Sequence, residues 1–161
     1  MSDTLFADIE SLARRDSWDQ ALARIIEHFA ADSGTIHLRG EDDLLHLKAA
    51  SRNIPPAVLE TVRIVPVGKG MAGLAVERKQ PVDACNIQTD TTGDVRPGAK
   101  ATGLQGSIVV PILCGDLAVG ALGIANRIER TFTDVETALL LRLARALGRS
   151  VAVGRGAAPP P

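Results

Sequence analysis

The sequence predicts an α+β domain, an α/β sandwich in which a mainly antiparallel sheet of about six strands carries helices on one face. Three observations predict it. Apolar residues recur at helical spacing at both ends of the chain, and period-two alternation with turn-flanked apolar runs fills the middle. A length of 161 residues suits one compact domain, which at this size buries about two-thirds of its unfolded surface without a disulfide or metal.

Leu5, Ile9 and Leu12 mark a first helix within residues 1–15. Ser17, with Gln20 three residues on, has the capping-box arrangement; Trp18, Ala21, Leu22, Ile25, Ile26 and Phe29 form a broad apolar stripe behind it. Asp32-Ser33-Gly34 ends that helix. Residues 35–39 and 44–50 alternate around the turn-prone Gly40-Glu41-Asp42-Asp43 and read as an antiparallel hairpin. A turn at Glu41-Asp42 sets Ile36 against Leu47, Leu38 against Leu45 and His37 against His46, with the two histidines sharing one face.

Asn53-Ile54-Pro55-Pro56 suits the start of a short helix through Glu60. Residues 62–67 form a third strand, 71–78 a two-turn helix and 81–85 a fourth strand. From Asn86 to Leu104 no periodicity survives, as expected of a lid or binding loop. Residues 106–113 and 117–125 flank Gly115-Asp116 as a hairpin, with Pro111 asking for an edge position or a bulge in the first of them. Thr133 to Glu136 is a second capping box, opening a last helix with Val135, Leu139, Leu140, Leu143 and Leu147 apolar. The domain proper is expected at 16–150, with a disordered tail at 151–161.

Composition excludes several classes of function. Lys plus Arg total 18 against 19 Asp plus Glu, so the basic excess of a general nucleic-acid binder is missing. Three Phe, one Trp and no Tyr leave little surface for stacking on bases, haem or flavin. No run reaches the roughly 20 apolar residues that span a bilayer, and the acidic N-terminus is no signal peptide, so a cytoplasmic location is expected.

Gly68-Lys69-Gly70-Met71-Ala72-Gly73 is a literal G-x-G-x-x-G, but its surroundings are too compressed for a dinucleotide-binding unit. The glycines read instead as a tight turn and close helix-on-sheet packing. His28, His37 and His46 have no companions at metal-ligand spacing, so no metal site is expected. No nucleophile motif occurs, and nothing basic directly flanks Cys85 or Cys114. No catalytic residue and no cofactor are expected.

Two stretches carry a family resemblance. One is Val62-Arg63-Ile64-Val65-Pro66-Val67-Gly68-Lys69-Gly70-Met71-Ala72-Gly73, followed by Ala75 to Val82. The other is Ser107-Ile108-Val109-Val110-Pro111-Ile112, the Gly115-Asp116 turn and Val119 to Asn126, followed by Phe132-Thr133-Asp134-Val135-Glu136. Together they resemble a GAF domain over roughly Ser17 to Leu147. The resemblance implies terminal helices on one sheet face and a small-molecule pocket on the other, roofed by the middle helices and the long loop. It places the loop from Asn86, with Arg96 and Lys100 as its cations, and the strand start Gln105 and Ser107, beside the pocket mouth. Those five residues, with His37 and His46, are the candidate ligand contacts. Arg and Lys there suit a small anionic metabolite.

Within the family, cyclic-nucleotide binders carry an Asn-Lys…Phe…Asp-Glu pattern. This chain has Asn126-Arg127…Phe132…Asp134…Glu136, with Arg for Lys and altered spacing. Bilin binders use a chromophore Cys in an aromatic-rich pocket, which the aromatic count opposes. Free methionine sulfoxide reductases carry cysteines in the roofing loop, and none lies between Asn86 and Gly106.

The expected function is that of a stand-alone sensory or regulatory domain. It binds a small molecule and signals to an output protein on another chain, without catalysis. Leu139, Leu140, Leu141, Leu143 and Leu147, with Leu5, Ile9 and Leu12 nearby, predict a homodimer through the terminal helices. The alternatives are a thiol-dependent reductase using Cys85 or Cys114, and a structural dimerisation module.

Overall fold

The computed structural model describes residues 2–95, 100 and 102–154. Two helices, α1 (Ser2–Arg14) and α2 (Trp18–His28), lead into the hairpin β1 (Ser33–Arg39) and β2 (Leu44–Ala50). Then come α3 (Pro56–Val62), β3 (Ile64–Pro66), α4 (Gly70–Arg78) and β4 (Val82–Ala84). Strands β5 (Ser107–Cys114) and β6 (Leu117–Ala125) precede the last helix, α5 (Asp134–Gly154). The six strands form one antiparallel sheet in the order β3-β2-β1-β6-β5-β4.

One core lies between the sheet and α1, α2 and α5. Ile36, Ile108, Val110, Ile112, Leu122 and Ile124 project from the strands against Leu22, Ile25, Leu140, Leu143 and Leu147, all essentially inaccessible to water. Helix α1 packs along α5, with Leu5, Ile9 and Leu12 turned inward. The leucine arc of α5 is therefore largely consumed within one chain; Leu139 and Leu141 stay half-buried. On the other sheet face a smaller core joins Leu45, Val65, Val109 and Ala121 to Met71, Ala75 and Val76 of α4.

Several expectations need correction. The hairpin register is offset by one residue: His37 faces Leu47 and Leu38 faces His46, with an irregularity between Ile36 and His37 that returns Ile36 to Ala49. Lys48 is thus the extra residue of a bulge, which turns Ala49 into the helix-side core. His37 and His46 consequently lie on opposite faces. The first capping box does not form, because Ser17 makes no side-chain cap bond. The second does: Thr133 Oγ1 accepts from Glu136 N at 3.1 Å, and Glu136 Oε1 accepts from Thr133 N at 2.9 Å. Pro111 lies in β5, but β4 pairs only with residues 107–109, so β5 has a free flank there. Helix α5 runs through Gly154, four residues into the expected tail; residues 155–161 lie outside the described residues.

The glycine motif is structural. Gly68 and Gly70 take φ of +89° and +68°, a left-handed region costly for other residues. At Gly73 a side chain would meet Pro66 O at 2.3 Å, so only glycine lets α4 lie this close to the preceding turn.

Candidate functional site

Side-chain alternation aligns three rows across the sheet face opposite the terminal helices. Ser33, Ala125, Ser107 and Ala84 form one row; Thr35, Gly123, Val109 and Val82 the next; His37, Ala121 and Pro111 the third. The central strand β6 contributes only Ala, Gly and Ala to this face, so the middle of the sheet is a shallow trough. Over it sit Ile54, Val58 and Val62 of the α3 segment, Met71 of α4, and Ile87, Thr102 and Leu104 of the long loop. They border a half-open cavity of about 130 Å³. Among the described residues lining it, none is charged.

The roof is tied down at its edges. Gln88 Nε2 donates to Leu104 O at 2.7 Å, and Ile87 N donates to Gln105 O at 2.8 Å. Asp94 accepts from Arg78 of α4 at 3.4 Å, so this loop carboxylate is paired with a helix cation and not with Lys100. Beneath α3, His37 is almost fully buried, and its Nε2 hydrogen-bonds Val62 O, a carbonyl of the helix end, at 2.8 Å. That bond makes Nε2 the protonated nitrogen and leaves Nδ1 buried with no partner among the described residues. Burial pushes the His37 pKa below its ordinary value, partly offset by the Val62 bond.

Of the seven residues singled out in the sequence, Ser107 lines the cavity, and its Oγ donates to Ile124 O at 3.4 Å. His37 supports the roof helix without lining the cavity. His46 is at the surface, with Nε2 2.8 Å from Asp42 Oδ2. Asn86 braces the loop start, its Oδ1 accepting from Gln88 N and its Nδ2 donating to Glu129. Gln105 joins the loop to Asn126 through its backbone, and exposed Lys100 donates to Asp90 O at 3.4 Å. Arg96 lies outside the described residues. Sequence reasoning missed Thr35, Gly123 and the Ile54–Val62 wall. A glycine inside an apolar strand was the available signal for Gly123, since such a glycine marks close approach or missing bulk.

The Asn126…Glu136 segment is a clamp away from the cavity. Asn126 Nδ2 donates to Ala30 O, while Arg130 donates to Phe29 O, Asn126 Oδ1 and Glu136 Oε2 at 2.6–2.8 Å. The Arg130 guanidinium also stacks 4.3 Å from the Phe132 ring centroid. Strand β6, the end of α2 and the start of α5 are thereby locked together. Cys85 is exposed, Cys114 is half-buried, and neither lines the cavity.

A larger groove of about 510 Å³ runs between α2 and Ser51–Asn53, on the helix side, among Asp19, Glu27, Asp32 and Arg52. The smaller cavity fits a small-molecule site better, because apolar walls with a few placed hydroxyls are what such sites share.

An antiparallel sheet with terminal helices on one face and a roofed cavity on the other is a GAF arrangement, and the GAF domain family model matches residues 15–152. The chain belongs to the GAF domain family. Among solved structures it is similar to the GAF domain of a phosphoenolpyruvate-protein phosphotransferase from Acinetobacter, at 19% identity and a TM-score of 0.78, over 96% of this chain and 95% of that one. It is also similar to free methionine-R-sulfoxide reductase from Neisseria meningitidis in complex with its substrate, at 19% identity and a TM-score of 0.77, over 98% and 92%. The corresponding protein from Staphylococcus aureus, in reduced form, gives 18% identity and a TM-score of 0.60, over 91% and 95%. At these identities the likeness is one of fold. A search of curated proteins returned no matching sequence. No helix among the described residues is long and apolar enough to cross a membrane.

Proposed function

We propose that this chain is a sensory GAF domain: it binds a small molecule in the roofed cavity and passes that occupancy to an output module, with no catalysis of its own. The observation that carries the reading is the composition of the cavity. Its walls are apolar and hydroxyl-bearing, and neither thiol of the chain is among them. The competing reading, a thiol-dependent reductase, draws on the likeness to the methionine sulfoxide reductases. Assaying free methionine sulfoxide reduction with the wild type, Cys85→Ser and Cys114→Ser separates the two. No turnover is expected, and turnover lost with either thiol overturns the sensory reading.

Two copies pair through α1 and α5 in this proposal, using the half-buried Phe6, Leu139 and Leu141 that the internal core leaves available. Light scattering at micromolar concentration should give twice the 16.9 kDa chain mass. A single-chain mass removes the dimer.

A further inference from the structure

The hydrogen-bond directions around the cavity say what its polar end accepts. Asn53 Nδ2 donates to Asp32 O at 2.7 Å, which fixes Asn53 Oδ1 as the acceptor for the Ser51 hydroxyl at 2.8 Å. Ser51 Oγ also accepts from Gly34 N at 3.2 Å, so the proton in its 2.9 Å contact with Ser33 comes from Ser33. Across the same row, the Ser107 hydroxyl lies 3.4 Å from Ile124 O, a long contact that leaves its proton able to turn elsewhere. Of the two serines flanking Ala125, Ser33 therefore turns only lone pairs to a ligand.

Thr35 keeps a rotatable hydroxyl one row away, beside Gly123. Gly123 supplies the room: a side chain built there would meet Val109 Cγ2 at 3.2 Å and project from the trough floor. A closed void of about 150 Å³ holds one benzene, so this half-open cavity of about 130 Å³ seats roughly six non-hydrogen atoms. A carboxylate would face the Ser33 lone pairs and no cation among the described lining residues, with neutral hydroxyls such as that of Thr35 to donate to it.

We propose that the cavity takes an uncharged molecule of about six non-hydrogen atoms, apolar over most of its surface and ending in an O–H or N–H donor that Ser33 receives. The proposal rests on the sensory reading and names a neutral donor where the sequence suggested an anion; Lys100 is exposed and bonded to Asp90 O.

Three probes of nearly equal size test it: methyl isopropyl ketone, the alcohol obtained by reducing it, and isobutyrate. Each is titrated into the isotope-labelled full chain, and amide shifts of Thr35, Gly123 and Ala125 are followed. The alcohol should bind roughly three- to tenfold more tightly than the ketone, the difference one hydrogen bond makes, and isobutyrate more weakly than either. Ser33→Ala should erase the alcohol's advantage, and Gly123→Val, which fills the trough, should abolish binding of all three. The comparison on the wild-type chain stands even if a variant fails to fold.

A ketone equal to the alcohol, or isobutyrate equal to it, overturns the proposal, and so does silence from all three. Native mass spectrometry then separates the two levels. A larger or charged molecule carried by the protein leaves the sensory reading in place, whereas an empty protein removes both.

Discussion

His37 is a neutral imidazole held between β1 and the end of α3, with one nitrogen bonded and the other buried without a partner among the described residues. Because burial holds its pKa below 6.5 in the folded state, the unfolded chain takes up a proton first as pH falls. The stability this residue contributes is present above about pH 6.5 and is lost as pH drops through the lowered folded value. Urea midpoints should fall between about pH 7 and about pH 5, and His37→Leu should flatten that slope; an unchanged slope refutes the assignment. Glu136 acts in a lower window. Its pKa is held below 4.5 by the Thr133 backbone N–H first and by Arg130 after that, so its contribution fades only below about pH 4.5. Arg130 bridges three acceptors and a ring, so Arg130→Ala should cost about 2–3 kcal/mol in urea denaturation. Arg130→Lys should recover little of it, because a point charge cannot reproduce the fork.

The elements differ in how they are secured. Helix α5 is capped from both directions by Thr133 and Glu136, and Thr133→Ala should cost about 1 kcal/mol in the same experiment. Helix α4 depends on the closeness of Gly73 to Pro66 O, so Gly73→Ala should cost about 1–3 kcal/mol by overpacking, read as a lowered Tm. A stability equal to wild type would show that the turn yields. Helix periods and strand alternation made each element legible in the sequence, down to the Thr133 cap. The hairpin register was not legible: the bulge at Lys48 is set by which face each strand must turn to the core, and alternation is compatible with either offset. Ser17 shows the converse, a residue with cap chemistry whose φ of −98° and ψ of 55° leave its side chain unused.

Across the whole molecule, the two thiols are kept apart by the sheet. Cys85 follows Ala84, which faces Ser107, while Cys114 ends the same strand seven residues later. At about 3.3 Å per residue the separation is roughly 23 Å, far beyond the 7 Å that a disulfide spans. Mild oxidation should therefore leave two titratable thiols and no intramolecular crosslink. An internal disulfide found by peptide mapping would require a different fold.

Composition and periodicity by themselves determined the α+β class, the number of strands, the helix-side core and the structural use of the glycine motif. Each of these depends on residues near one another in sequence, where 3.6-fold and two-fold periods leave a direct trace. Tertiary structure decided the shape of the candidate site. The trough requires Gly123 to lie between Thr35 and Val109, 88 residues away and 14 residues away along the chain, and the donor directions require Asp32, Ser51 and Asn53 to meet Ser33. Cations conspicuous in a sequence, such as Lys100, need not face the cavity, because solvating a charge at the surface costs less than burying it.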